Sequence, residues 1–307
     1  MTWAWWEHRD YVSMTMEFRC NLRCTHCMIE GTMDRLAPEG AARFEEVLCE
    51  RPRRGWTGLI LTGSEITLHR ELPELARRAR AAGFRHVRIQ THGMRLADAD
   101  YCARLVEAGV DEFFVSIAGA TAATHDRITQ VPGSFEKSVR GLENLDAFGE
   151  RVVSITNTVV TEESVAEIAA LPARLGHIRR LVQMEYWNYF PMAEEDAKGL
   201  VVPLARLIPA LRAALAATRA LGRRAECKNV PACALGEDEP ALVNMQPELL
   251  IDPAFWDEFR RNGFYQCAHR AECAHPTCLG LNTAYLRRFG DEADRLTPYT
   301  APLRLAS

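Results

Sequence analysis

The sequence predicts an α/β chain: a partial (β/α)6, TIM-like barrel of parallel strands followed by a loop-rich, cysteine-rich module. Two observations predict it. From residue 11 to about 200, short β-rich runs alternate with longer helical patterns every ~25–30 residues, the size of a βαβ unit. From about Glu226 the period is lost and Pro and Cys become frequent. At 307 residues and 48% hydrophobic, the chain can bury one large core with an appendage. The expected segments are residues 1–10 as a short extension, 11–222 as the barrel and 223–307 as the module.

Each element follows from its own pattern. Runs rich in β-branched and aromatic residues predict strands at Tyr11–Phe18, Gly58–Leu61, His86–Gln90, Glu112–Ile117, Val152–Val160 and Leu181–Tyr186. Between them, apolar residues at helical spacing predict helices over Pro38–Glu50, Leu72–Ala82, Asp98–Ala108, Ser134–Phe148 and Glu163–Arg174. Val201–Leu221 supplies the last helix and completes six units. Right-handed crossovers then place reactive residues at strand C-termini and in the loops that follow. Cys20 follows the first strand, Gly63-Ser64-Glu65 the second and Thr91-His92-Gly93 the third, while Ser116 ends the fourth and Asn157 lies in the fifth. A doubly wound open sheet would place them similarly. Trp3, Trp5 and Trp6 are expected to plug the barrel bottom or cover its open side.

Several function classes are disfavoured. The formal net charge of −4 demands neither nucleic acid nor an anionic membrane as partner, and the runs Arg51-Pro-Arg53-Arg54 and Arg77-Arg78-Ala-Arg80 read as solvated faces. No apolar stretch approaches the ~20 residues of a spanning helix, and the start lacks the order of a secretion signal. A cytoplasmic protein with no cleaved leader is expected. In reducing cytosol its ten cysteines are ligands or thiols and not disulfides. Eight of them fall into two groups, Cys20, Cys24 and Cys27 near the start and Cys227, Cys233, Cys267, Cys273 and Cys278 near the end. Cys49 and Cys102 stand alone in helical patterns and read as small buried hydrophobes.

The first group is the most informative feature. A four-iron cluster that only carries electrons is ligated by a thiolate at each iron. Cys20-Asn-Leu-Arg-Cys24-Thr-His-Cys27 supplies three, which leaves one iron open, much as catalytic zinc sites keep a free position. Zinc itself would need a distant fourth ligand such as His26 or Cys49.

With its flanks, Met16-Glu-Phe-Arg-Cys20-Asn-Leu-Arg-Cys24-Thr-His-Cys27 resembles the opening of the radical SAM (S-adenosylmethionine) family, with His26 where a ring commonly precedes the last cysteine. Leu61-Thr-Gly63-Ser64-Glu65 resembles the segment that holds the SAM amino group, with Ser64 in place of its second glycine and Ile66 in place of the usual proline. Gln90-Thr91-His92-Gly93 resembles the Thr-Asn-Gly turn, His92 replacing Asn. Val115-Ser116-Ile-Ala-Gly119 resembles the fourth strand, where Ser116 meets the SAM carboxylate or ribose, and Asn157 falls on the matching fifth strand. Thr129 stands where many peptide-modifying relatives carry arginine. The resemblance runs in order from residue 11 to about 190. It implies a 4Fe-4S cluster on Cys20, Cys24 and Cys27, SAM contacts by His26, Gly63, Ser64, Glu65, Gln90, Thr91, Ser116 and Asn157, and an external reductant such as flavodoxin or ferredoxin. His125-Asp126 reads as a helix-start or loop-ordering pair and not a catalytic one.

The tail, with Cys273-Ala-His-Pro-Thr-Cys278-Leu-Gly280, resembles the family's auxiliary-cluster regions called SPASM or twitch. Cys233, Cys267, Cys273 and Cys278 would ligate a second 4Fe-4S cluster, with Cys227 as an alternate. At the end of the sixth strand, Glu185 and Tyr186 are candidates to meet substrate. The expected activity is reductive cleavage of SAM to a 5′-deoxyadenosyl radical that abstracts hydrogen from a small molecule, giving dehydrogenation, epimerisation or bond formation. The alternatives are a maturase of a ribosomally made peptide and, from another class, a non-catalytic iron–sulfur electron carrier or redox sensor. The short N-terminal extension favours the small molecule over the peptide.

Overall fold

The structure is a computed structural model that describes residues 10–31 and 33–301. The expectation for Trp3, Trp5 and Trp6 lies outside the described residues. Eight parallel strands form one open sheet in the order β7-β6-β5-β4-β3-β2-β1-β8. They are β1 (Tyr11–Glu17), β2 (Gly58–Gly63), β3 (His86–Thr91), β4 (Glu112–Ser116), β5 (Val153–Val160), β6 (Leu181–Asn188), β7 (Arg224–Lys228) and β8 (Glu248–Leu250). The helices are α1 (Ala41–Arg54), α2 (Leu72–Ala81), α3 (Ala99–Glu107), α4 (Ala122–Thr129), α5 (Ser134–Asp146), α6 (Leu171–Arg174), α7 (Leu204–Ala220), α8 (Ala232–Leu235), α9 (Ala254–Phe259) and α10 (Thr283–Phe289). No described helix is long and apolar enough to cross a membrane.

All six expected strands form, within two residues at each end. They read easily because parallel strands covered on both faces are near-continuous apolar runs; every residue of β1 is buried. Three differences have physical causes. The helix expected over Glu163–Arg174 shrinks to the single turn α6, because Thr161 and Ser164 side chains bond nearby backbone: Glu163 N donates to Thr161 Oγ1 (3.2 Å) and Thr161 N to Ser164 Oγ (3.1 Å). Such local bonds compete with helix. Helix α4, whose start is capped by Thr121 Oγ1 accepting from Thr124 N, was not expected. Finally the sheet continues past residue 222: β7 pairs with β6, and β8 crosses to the opposite edge to pair with β1. The boundary expected there falls between α7 and β7, inside the sheet.

Period-2 alternation divides the sheet into two faces. One carries Met14, Leu61, Ile89, Val115, Met184 and the other aliphatic residues of the main core, packed under the helices. The inner face is polar. Register aligns Ser13, Ile60, Arg88 and Glu112 in one row and Ser116, Asn157, Glu185 and Glu226 in another. The Tyr11 hydroxyl donates to Glu112 Oε1 (2.6 Å), and Glu112 also accepts from Arg88 Nε (2.6 Å). Tyr11 and Glu112 lie three strand spacings apart, roughly 14 Å along a flat sheet, so the sheet curls into a partial barrel with this triad across its interior.

Candidate functional site

The three-cysteine loop leaves the C-terminal end of β1 and is fixed by α4. The last carbonyls of a helix have no intrahelical partner; here Thr129 O accepts from Arg23 N (3.1 Å) and Ile128 O from Thr25 N (2.8 Å). Thr25 Oγ1 donates to Glu163 Oε2 (2.5 Å), Lys198 Nζ donates to Thr25 O (2.9 Å), and Asn21 Oδ1 lies 2.8 Å from His92 Nε2. Helix α4 is thus the scaffold of the loop, a role its polar eight-residue sequence did not announce.

Cys20, Cys24 and Cys27 are half-buried free thiols. Burial first, then Glu65 and Cys27, push the Cys20 thiol up to about 11, and burial first, then Cys27 and Cys20, push the Cys24 thiol up to about 12. Without a bound cation they are therefore neutral near pH 7, whereas a metal centre would hold them as thiolates. Among the described residues no three Cys, His, Asp or Glu side chains converge closely enough for a single metal ion. Thiols that feel one another yet stand too far apart for one ion suit a multi-iron cluster better than zinc. Two buried polar atoms in the same region meet no hydrogen-bond partner, His26 Nδ1 and Ser64 Oγ. Burial lowers the His26 imidazole to about 4, so the ring is neutral. These orphaned atoms and paired thiols are the features a cluster with a polar co-substrate would satisfy.

The segment after β2 lies against β1. A Cβ on Gly63 would stand 1.9 Å from the Glu17 carbonyl oxygen, so only glycine fits. Glu65 is engaged by protein groups. It is fully buried, and its Oε1 accepts from Thr67 N (2.9 Å), Thr67 Oγ1 and Thr91 Oγ1 (2.7 Å), while Oε2 accepts from His92 N (2.9 Å) and lies 3.0 Å from His92 Nε2. A carboxylate has about four acceptor sites, all occupied here by protein. Glu65 therefore ties the β2 and β3 turns together, and what this segment still offers a ligand is Gly63 backbone and Ser64 Oγ. Thr91 is likewise engaged with Glu65, and Gln90 Oε1 accepts from Thr62 Oγ1 (2.6 Å).

Ser116 is exposed at the end of β4, aligned with buried Asn157 on β5 and Glu185 on β6. Glu185 and Tyr186 do not face the same space. Tyr186 points away from the interior and its hydroxyl lies 2.9 Å from Thr218 Oγ1 on α7. Consecutive strand residues must point to opposite faces, so the pairing could have been rejected from the sequence. Glu185, 2% exposed, accepts from Gln183 Nε2 and Trp187 Nε1, both at 2.7 Å. His125 and Asp126 are ordering residues: His125 Nδ1 accepts from Ala118 N (3.1 Å), and the Asp126 carboxylate accepts from Gly133 N (2.6 Å), Phe135 N (2.9 Å) and Ser134 Oγ (2.8 Å).

In the tail, Cys233, Cys267, Cys273 and Cys278 line one recess, with His269 and His275 beside them. Cys227 is not among its lining residues; it is fully buried on β7 in the main core. Cys102 is buried as expected, whereas Cys49 is exposed.

A curled parallel sheet with three thiols at the end of its first strand defines a class of iron–sulfur proteins built on a partial barrel. The chain belongs to the radical SAM superfamily, whose sequence model matches residues 15–172; that family binds a 4Fe-4S cluster and S-adenosylmethionine. An AdoMet-dependent heme synthase of Oleidesulfovibrio alaskensis is 34% identical over 147 residues, 48% of this chain and 37% of that protein. A probable GTP 3′,8-cyclase of Methanopyrus kandleri is 31% identical over 170 residues, 55% and 53% of the two chains. The chain thus matches about half or less of the length of these relatives. Among solved structures, native anSMEcpe with bound AdoMet and Kp18Cys peptide superposes with a TM-score of 0.54 at 15% identity, over 67% of this chain and 59% of that one. This last likeness is one of fold.

Proposed function

We infer that the chain is a radical SAM enzyme in which Cys20, Cys24 and Cys27 ligate a 4Fe-4S cluster with one iron open to SAM. The observation that carries this reading is the trio of half-buried, mutually interacting free thiols at the end of β1, in a chain of this superfamily. When bound, the reduced cluster supplies the electron that splits SAM into methionine and a 5′-deoxyadenosyl radical. The chain's own part is to position and to exclude water. Gly63 backbone and Ser64 meet the SAM amino group, Ser116 and Asn157 its carboxylate or ribose, and His26 packs behind the loop. Glu65, Thr91 and Gln90 act one step back, by fixing the turns that carry those contacts.

Cys233, Cys267, Cys273 and Cys278 ligate a second, closed 4Fe-4S cluster in the recess, so residues 223–307 form a SPASM- or twitch-like region attached to the barrel through β7 and β8. Cys227 is a core residue and takes no part. A closed cluster relays electrons and does not bind substrate. The reductant is a flavodoxin or ferredoxin of the cytoplasm. The substrate is a small molecule, because the buried polar pairs of the inner face suit a compact polar compound. The test is anaerobic incubation of fully reconstituted protein with SAM and dithionite. Formation of 5′-deoxyadenosine, lost in Cys24→Ala, is expected; none from protein with its full iron complement would identify a non-catalytic electron carrier instead.

A further inference from the structure

The inner face of β6 and β7 holds more buried charge than SAM binding uses. Glu185, Glu226 and Lys228 are each no more than 3% exposed, and all point into the barrel. Lys228 Nζ lies 3.7 Å from Glu185 Oε2 and 5.1 Å from the centre of the Trp187 ring. Glu185 also reaches Arg88 electrostatically from across the interior. Glu185 is well supplied with donors. Glu226 is not: Arg224 Nε pairs with its Oε1, while its Oε2 meets no hydrogen-bond donor. On the same face, diagonal to it across the β6–β7 pair, Gln183 Oε1 is buried without a partner as well. Both orphaned atoms are acceptors. An unmet buried acceptor is costly, so two on one interior wall mark a place where a donor belongs. Burial first, then the adjacent Glu185 carboxylate, raise the Glu226 carboxyl above its ordinary range, against Arg224 and Lys228, which lower it.

The register sets the location. Ser116, Asn157, Glu185 and Glu226 form one row across β4 to β7, so Glu226 stands level with the proposed SAM contacts, about 14 Å along the sheet from Ser116.

We propose that Glu226, with Gln183 Oε1 beside it, is the recognition site for an ammonium or guanidinium group of the substrate. The site deepens the enzymatic reading above, resting on it for the word substrate but not for the binding itself. Glu226 sets specificity by accepting from the cation; Glu185, locked by Gln183, Trp187 and Lys228, positions the wall.

The test is a binding measurement on the reconstituted full chain without SAM, so it stands even where SAM cleavage fails. Ligand-observed NMR titrations at pH 7.5 would use n-propylammonium and n-propylguanidinium as cations and propionate as an anion of similar length. One of the cations is expected to bind at least tenfold more tightly than propionate. Glu226→Gln, nearly isosteric, should raise that cation's Kd at least tenfold, whereas Glu237→Gln, an exposed carboxylate on the same segment, should change it less than twofold. Equal or tighter propionate binding overturns the proposal on wild-type protein alone, whether or not the variant folds. So does an unchanged Kd in Glu226→Gln.

Discussion

At the residue scale, burial lowers the imidazoles of His26, His92 and His125. His125 shows the consequence. Its imidazole is lowered from 6.5 to about 4, chiefly by burial, so it folds neutral with Nδ1 accepting from Ala118 N. Between those values the unfolded chain binds a proton that the folded chain refuses. Stability contributed by this group is therefore complete above pH 6.5 and falls as the pH drops toward 4, by up to about 3 kcal/mol. Urea unfolding of His125→Gln is expected to show a shallower acid limb than wild type by about that amount, with overall stability at pH 7.5 reduced by the lost packing against Phe135. At this scale the sequence picked out Ser64, Ser116 and Asn157 by their place after or within strands, and the structure sets Ser116 and Asn157 in one register row. The sequence did not show how fully protein donors engage Glu65, because nothing in Gly-Ser-Glu tells how many will surround the carboxylate. Glu226 was passed over because the strand period is lost there and no strand was expected. Its signal was the spacing of Arg224, Glu226 and Lys228, matched in register to Gln183, Glu185 and Trp187.

At the scale of elements, the cysteine loop is held less by its own sequence than by α4, and α4 in turn by α5. Asp126, near the end of α4, accepts three hydrogen bonds from residues 133–135 at the start of α5. It replaces the cap that Gly133 lacks. Asp126→Ala is expected to cost about 1–2 kcal/mol, the range for a lost helix cap, measured by denaturant unfolding. It should also loosen the cysteine loop, seen as faster hydrogen exchange at Arg23 and Thr25, whose amides bond the α4 carbonyls. The six core strands were legible because central parallel strands are long apolar runs. Helix α4 was not, since Ala122–Thr129 is short and polar, and α6 was overdrawn because helical spacing hides the competing bonds of Thr161 and Ser164.

At the scale of the whole molecule, the region after residue 222 is part of the sheet, with β7 on one edge and β8 on the other. Those strands were missed for their length, five and three residues. The recess of four cysteines is thereby tied to both edges of the sheet; in the proposed reading the two thiol groups divide the work, an open cluster on β1 and a closed one in the tail. The most direct measurement is electron paramagnetic resonance of the reduced, reconstituted chain with and without SAM, beside iron counts. In wild type, SAM should shift part of the reduced-cluster spectrum. In the Cys20→Ala, Cys24→Ala, Cys27→Ala triple variant, about four irons should remain and their spectrum should ignore SAM. A wild-type spectrum unmoved by SAM, at full iron content, would contradict an open iron on the β1 loop.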